Sequence, residues 1–155
     1  MQEIINNELK VTVPEGFEVL SAEALNNIYL DNSTTRWGMT DKNRHFTGTV
    51  FYHVTNLLLA AIASSKDVAN NTRMQLAKKL SAYNYIQGDS FQMKICGQDA
   101  HGFNYEYVNH NIPTEGTVVV FKRGKPCYTV YWYSRKENAT ESREVFRSFC
   151  ESLTF

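Results

Sequence analysis

Cys96, Asp99 and His101 fall within six residues of one another, on either side of Gly97. A thiol, a carboxylate and an imidazole are the groups that nucleophilic catalysis assembles, the imidazole activating the thiol and the acid orienting the imidazole. A sharp bend at Gly97 would bring the three close, so this region is where a small hydrolytic or metal-assisted enzyme would place its reaction. The competing reading is a turn carrying exposed polar groups. The other histidines offer less. His45 and His53 share a strand face but lie eight residues apart, roughly 26 Å at the strand rise and too far for one ion. Asp99 and His101 share a face, and a third metal ligand would have to be Glu106, reaching across a hairpin. The chain has neither a G-x-G-x-x-G nor a Walker loop to cradle phosphate. No catalytic, cofactor-binding or metal residue is therefore assigned, and no cofactor is expected.

Two further sets of side chains bear on binding. Lys122, Arg123 and Lys125 are basic, as are Arg135 and Lys136. The first three sit at a hairpin tip and the others some 30 Å down the strand. They read as two small solvated patches that blunt strand ends. Tyr128, Tyr131, Trp132 and Tyr133 combine apolar area with polar tips. They either floor a ligand pocket or interface, or pack under helices with their tips at the rim.

These residues are positioned by the stretch Gly116–Tyr133, GTVVVFKRGKPCYTVYWY. Two β-branched and aromatic runs flank Lys122-Arg123-Gly124-Lys125, which signals a hairpin. With Arg123 and Gly124 as the turn, Val120 lies opposite Cys127 and Val119 opposite Tyr128. One face then carries Val118, Val120, Cys127, Thr129, Tyr131 and Tyr133. The other carries Val119, Phe121, Tyr128, Val130 and Trp132. Both are largely apolar, so the ribbon is expected to be covered on both sides. Pro126 belongs beside the turn, where its missing N–H does least harm.

The remaining elements are read in order. Leu9–Val13 alternates as a strand ended by a Pro14-Glu15-Gly16 turn. Ser21 caps a short helix over Ala22–Leu30, with Leu25 and Ile28 on one face. Arg36–Met39 and Phe46–Val54 form a hairpin near a sheet edge. Leu57–Ile62 looks helical. Ser65 caps a second helix reaching about Tyr83, with the stripe Val68, Thr72, Leu76, Leu80 and Tyr83. Gln87-Gly88-Asp89 ends that unit. Phe91–Cys96 and Phe103–Tyr107 alternate as strands, with a loop over Asn109–Glu115. Asn138 and Glu141 form a capping box for a last helix whose stripe is Val145, Phe146, Phe149 and Leu153.

A chain of 155 residues, 43% hydrophobic, suits one α+β domain over 1–155. Sixteen basic and sixteen acidic side chains cancel, which disfavours phosphate-backbone binding, so no nucleic acid is expected. The absence of an 18-residue apolar run argues against a membrane span. The first ten residues, MQEIINNELK, lack a signal-peptide pattern. The spacing of Cys96, Cys127 and Cys150 matches no metal knuckle or redox pair, so the three are expected reduced and buried, in a reducing, cytoplasmic setting.

The order of elements, taken with particular residues, resembles a known family. Those residues are Val11-Thr12-Val13-Pro14-Glu15-Gly16-Phe17, Ile95-Cys96-Gly97 before the aromatic strand Phe103–Tyr107, and Tyr131–Tyr133 followed by Val145-Phe146-Arg147-Ser148-Phe149. The chain resembles the family of the photosystem extrinsic protein PsbP and the Ran-binding Mog protein, with its bacterial members. Phe17 stands where many relatives have Trp. The resemblance implies an α/β/α sandwich with a central, mainly antiparallel sheet flanked by helices. It also implies a non-catalytic binding or accessory protein whose partner is another protein or a small ligand.

Overall fold

The structure, a computed structural model, describes residues 1–30, 32–54 and 63–155. The apolar run Leu57–Ile62, expected to be helical, lies outside the described residues. Among the described residues no helix is long and apolar enough to cross a membrane.

An N-terminal hairpin comes first, β1 (Gln2–Ile5) with β2 (Leu9–Thr12), turning through Asn6 and Asn7 at positive φ. Seven strands build one antiparallel sheet. They are β3 (Glu18–Val19), β4 (Arg36–Asp41), β5 (Phe46–Val54), β6 (Ile86–Ile95), β7 (Gln98–Asn109), β8 (Ile112–Lys122) and β9 (Pro126–Arg135), in the spatial order β3-β4-β5-β9-β8-β7-β6. Three α-helices, α1 (Ala22–Tyr29), α2 (Ser65–Lys79) and α3 (Ala139–Ser152), and two short 3-10 helices, Ser81–Tyr83 and Lys136–Asn138, complete the described elements.

The β8–β9 ribbon is the middle of this sheet, and both its faces are buried. Val119, Phe121, Tyr128, Val130 and Trp132 belong to one core, and Val118, Val120 and Cys127 to another on the opposite face. Its register differs from expectation. Val120 pairs with Thr129 and Val119 with Val130, because the loop is longer and closes through Arg123 N–H donating to the Pro126 carbonyl at 3.1 Å. The slip is two residues, an even number, so every side chain keeps its face; a slip of one would have inverted them all.

The expected α/β/α sandwich is not the plain description of this molecule. Strands hold far more of the described residues than helices do, and the fold is predominantly a seven-stranded antiparallel sheet. A greasy two-sided ribbon demands cover without specifying its kind. On the Trp132 face, α3 supplies only part. The rest comes from β1–β2 through Ile5, Leu9 and Val11, and from the chain ends. Lys10 and Thr154 exchange backbone hydrogen bonds at 2.7 and 3.2 Å, tying the C-terminus to β2. Tyr128 donates its hydroxyl to Glu8 and accepts from Asn6 Nδ2 at 3.2 Å, pinning the hairpin to the sheet.

Several local expectations are corrected in the same way. Gln87-Gly88-Asp89 does not end a unit but lies inside β6, where the pairing with β7 shifts between Gln87 and Ser90. Residues 109–115 are not a loop. His110 and Asn111, both at positive φ, make a two-residue turn, and Pro113 sits in β8 opposite Val108. The cap of α2 is Ser64, one residue before Ser65, because the box partner is Asp67: Ser64 Oγ accepts from the Asp67 N–H at 3.1 Å. At α3 no box forms. Asn138 donates instead to the Arg44 carbonyl at 3.1 Å, and Glu141 pairs with Arg44 at 2.7 Å. These contacts anchor α3 to the β4–β5 turn, whose buried Asp41 also holds Arg44.

Candidate binding cleft

Two helices lie on the same sheet face and leave a gap between them. The helix α1 begins at Ser21, whose hydroxyl accepts from the Ala24 N–H at 3.1 Å. It rests directly on β4 because position 38 is glycine: a Cβ there would lie 2.6 Å from Leu25 Cδ2. The helix α2 packs over β7 and β8, burying Ala69 beside Phe103 and Val118. Its stripe is only half-buried, since Thr72, Leu76 and Leu80 face a cavity rather than a closed core.

That cavity is a cleft of about 460 Å³. Its floor is Phe51 of β5, Tyr131 and Tyr133 of β9, and Tyr105 and Tyr107 of β7. One wall is Ile28 and Tyr29 of α1. The other is Thr72, Gln75, Leu76 and Lys79 of α2, with Leu80 and Tyr83 beyond the helix end and Asn109 closing one side. The volume is in the range of small-molecule sites, as is the combination of apolar walls with a few polar tips.

The rings hold one another in place. Tyr29 meets Phe51 edge-on at 5.0 Å, and Phe51 meets Tyr131 at 5.2 Å. Tyr29 donates to Thr49 Oγ1 at 2.8 Å. Tyr105 lies across β8 above Gly116 and reaches the Trp132 carbonyl at 3.4 Å. Only glycine permits this, because a Cβ on residue 116 would sit 2.5 Å from the Tyr105 hydroxyl. Behind the wall, the buried Arg36 guanidinium stacks on Tyr29 at 5.0 Å and Phe51 at 5.9 Å, and donates to Asn26 Oδ1 at 2.7 Å.

Electrostatically the cleft is neutral with a basic mouth. Burial raises the phenols of Tyr29, Tyr105 and Tyr107 well above the usual tyrosine value. Burial also pushes Tyr131 up to about 12, against a hydrogen bond with Thr72 that acts the other way. All four remain protonated donors at neutral pH. No Asp or Glu lines the cleft, and Lys79 is its one cationic liner among the described residues.

This burial has a measurable result. A phenol whose folded-state pKa exceeds its unfolded value of about 10 stabilises the fold fully below that pH. The contribution is then lost as pH rises through the folded value, near 12 for Tyr131. Alkaline titration followed by tyrosinate absorbance is expected to show a late step, above the ordinary tyrosine range, that coincides with unfolding. A single step at pH 10 with the fold intact would contradict the burial described here.

The residues singled out from sequence are placed differently. Cys96 and Gly97, both at positive φ, form the two-residue turn between β6 and β7. The Cys96 thiol packs on the Trp132 face and donates to the Leu153 carbonyl at 2.9 Å. Burial pushes its pKa up, the reverse of an activated nucleophile. Asp99 is exposed and paired with Lys94 at 2.5 Å, while His101 Nδ1 lies 2.9 Å from Ser65 Oγ on the α2 face. The turn that was expected to gather the three thus sends the thiol to the opposite side of the sheet, and the enzyme reading loses its site. Glu106 pairs with Lys136 at 3.2 Å rather than joining Asp99 and His101. Among the described residues no three His, Cys, Asp or Glu side chains converge as metal ligands would.

The aromatic set divides by strand parity. Tyr131 and Tyr133 floor the cleft, whereas Tyr128 and Trp132 are buried on the other face. The basic residues act locally: Lys122 Nζ donates to the Ala63 carbonyl at 2.5 Å, Arg123 stacks on Phe155 at 4.1 Å, and Arg135 pairs with Glu137 at 3.8 Å. Tyr29, Phe51, Tyr105 and Tyr107 are cleft residues that sequence reasoning did not assign. The alternation Phe103, Tyr105, Tyr107 was the visible signal, since it puts three rings on one strand face.

Solved structures share this architecture. The chain superposes on the solution structure of cyanobacterial PsbP (CyanoP) from Synechocystis sp. PCC 6803 with a TM-score of 0.72 at 11% identity, covering 99% of this chain and 90% of that one. The fold is PsbP-like. LpqN, involved in cell envelope biogenesis of Mycobacterium tuberculosis, is similar with a TM-score of 0.65 at 12% identity, over 94% of this chain and 82% of that one. A Pseudomonas aeruginosa protein, PA94, described as a putative regulator, gives a TM-score of 0.53 at 8% identity, over 98% and 94%. No family model matches the sequence, and no curated protein matches it. At these identities the likeness concerns the PsbP-like fold alone.

Proposed function

We propose that residues 1–155 act as one non-catalytic binding or accessory domain, and that its ligand is a small molecule held in the tyrosine-lined cleft between α1 and α2. One observation carries this reading: about 460 Å³ of space is framed by mutually packed rings and half-buried helix residues where a closed core would be expected. The neutral phenols supply hydrogen bonds and apolar area without a nucleophile or base among them. The PsbP-like and LpqN-like neighbours support the reading of a non-catalytic binding or accessory domain. The three free thiols fit a reducing compartment, the cytoplasm.

The test is a fragment screen followed by backbone amide shifts. Hits are expected to move Leu76, Tyr107 and Tyr131 together. Leu76→Trp, which fills the cleft from α2, is expected to weaken them at least about tenfold. Hits that bind the Leu76→Trp protein as well as the wild type would refute the cleft as the site.

A further inference from the structure

We propose that the cleft takes a planar aromatic carboxylate, its ring on the tyrosine floor and its carboxylate at Lys79. This rests on the preceding reading and adds the charge and shape of the ligand.

Shape comes first. The floor and the α1 wall are rings fixed by edge-on contacts at 5.0 and 5.2 Å, so they present rigid faces and edges suited to another ring. Away from Lys79 the mouth is apolar: Ile28 is 39% and Tyr83 46% exposed, a rim over which a flat hydrophobic body can slide.

Charge decides the rest. Aromatic cages commonly hold cations, but here the guanidinium of Arg36 already occupies the cation position over Tyr29 and Phe51. A second cation would meet Lys79, with no carboxylate lining the cleft to offset it. An anion meets the opposite situation. Lys79 is exposed on the last turn of α2 and makes no ion pair among the described residues. The protonated phenol of Tyr107 offers an O–H donor to a carboxylate and no negative charge.

The test uses three probes with one ring system: naphthoate, naphthamide and naphthyltrimethylammonium. Each is titrated into the full chain while amide shifts at Leu76, Tyr107 and Tyr131 are followed. Naphthoate is expected to bind about fivefold more tightly than naphthamide, the range of a solvent-exposed ion pair, and the excess should shrink with added salt. Lys79→Gln, on an exposed helix turn, is expected to remove the preference of naphthoate over naphthamide, both measured on the same variant, with the circular-dichroism spectrum of the wild type retained. The inference is overturned if naphthamide or the ammonium binds as tightly as naphthoate, or if Lys79→Gln keeps the preference. In those cases shifts confined to the cleft still support the binding-domain reading. If no probe shifts the cleft resonances, both fall.

Discussion

Replacing Trp132 with alanine is expected to lower the stability of the fold by about 3–5 kcal/mol, the cost of deleting a large buried ring whose cavity cannot fully collapse. Trp132 is completely buried. It lies parallel to Phe46 at 5.7 Å and tilted on Phe146 at 5.9 Å, so it joins β5, β9 and α3 in one contact. Its indole N–H has no acceptor among the described residues, which sharpens the expectation. Trp132→Phe removes no hydrogen bond and keeps most of the ring, and should cost less than about 1.5 kcal/mol. Urea unfolding followed by circular dichroism separates the two. Should Trp132→Ala not fold, the small shift for Trp132→Phe still tests the account. Equal losses for both variants would mean that the indole N–H, not the packing, holds this face together.

The second large effect is expected at Gly116. An alanine Cβ there would collide with the Trp132 carbonyl and with the phenol of Tyr105. The carbonyl belongs to a central β8–β9 pair and the phenol is fully buried, so neither yields easily. A loss of about 1–3 kcal/mol is expected from overpacking, and the Tyr105 ring must leave its seat on the cleft floor. Gly116→Ala should therefore weaken naphthamide binding as well as lower the urea midpoint. An unchanged midpoint would show that the sheet relaxes at this point and that glycine is not required.

Much of the sheet was legible because strand parity is robust. The β8–β9 faces survived an error in the turn, since the slip was two residues. The buried positions Phe146 and Phe149 of α3, and Leu153 just beyond its end, were likewise read from their spacing. What failed was punctuation. Gln87-Gly88-Asp89 and Pro113 look like breaks, yet tertiary pairing drew both into strands. Asn138 has a capping composition, but its side chain found a stronger claim in the Arg44 carbonyl. The N-terminal hairpin was half missed because β1, QEII, is too short to announce itself.

The cleft was hardly legible at all. Its residues come from α1, β5, α2, β7 and β9, and no spacing within one segment brings Tyr29 to Tyr131 or Leu76 to Tyr107. The split of the Tyr128–Tyr133 run by parity and the alternation Phe103, Tyr105, Tyr107 hinted at it. Cys96, Asp99 and His101 misled for the opposite reason. They are adjacent in sequence, but a two-residue turn and an alternating strand separate neighbours across the thickness of a sheet.

The outer strand β6 has a consequence for behaviour in concentrated solution. A ten-residue strand with no partner on one side among the described residues is a template on which other chains can lay down their own strands. Here the irregularity between Gln87 and Ser90, with Gly88 packed closely on Asn104, interrupts the row of outward-facing amides after the first two residues. Repairing it by deleting one residue between Gln87 and Ser90 would straighten the edge, and the protein would be expected to form fibrous aggregates more readily than the natural chain.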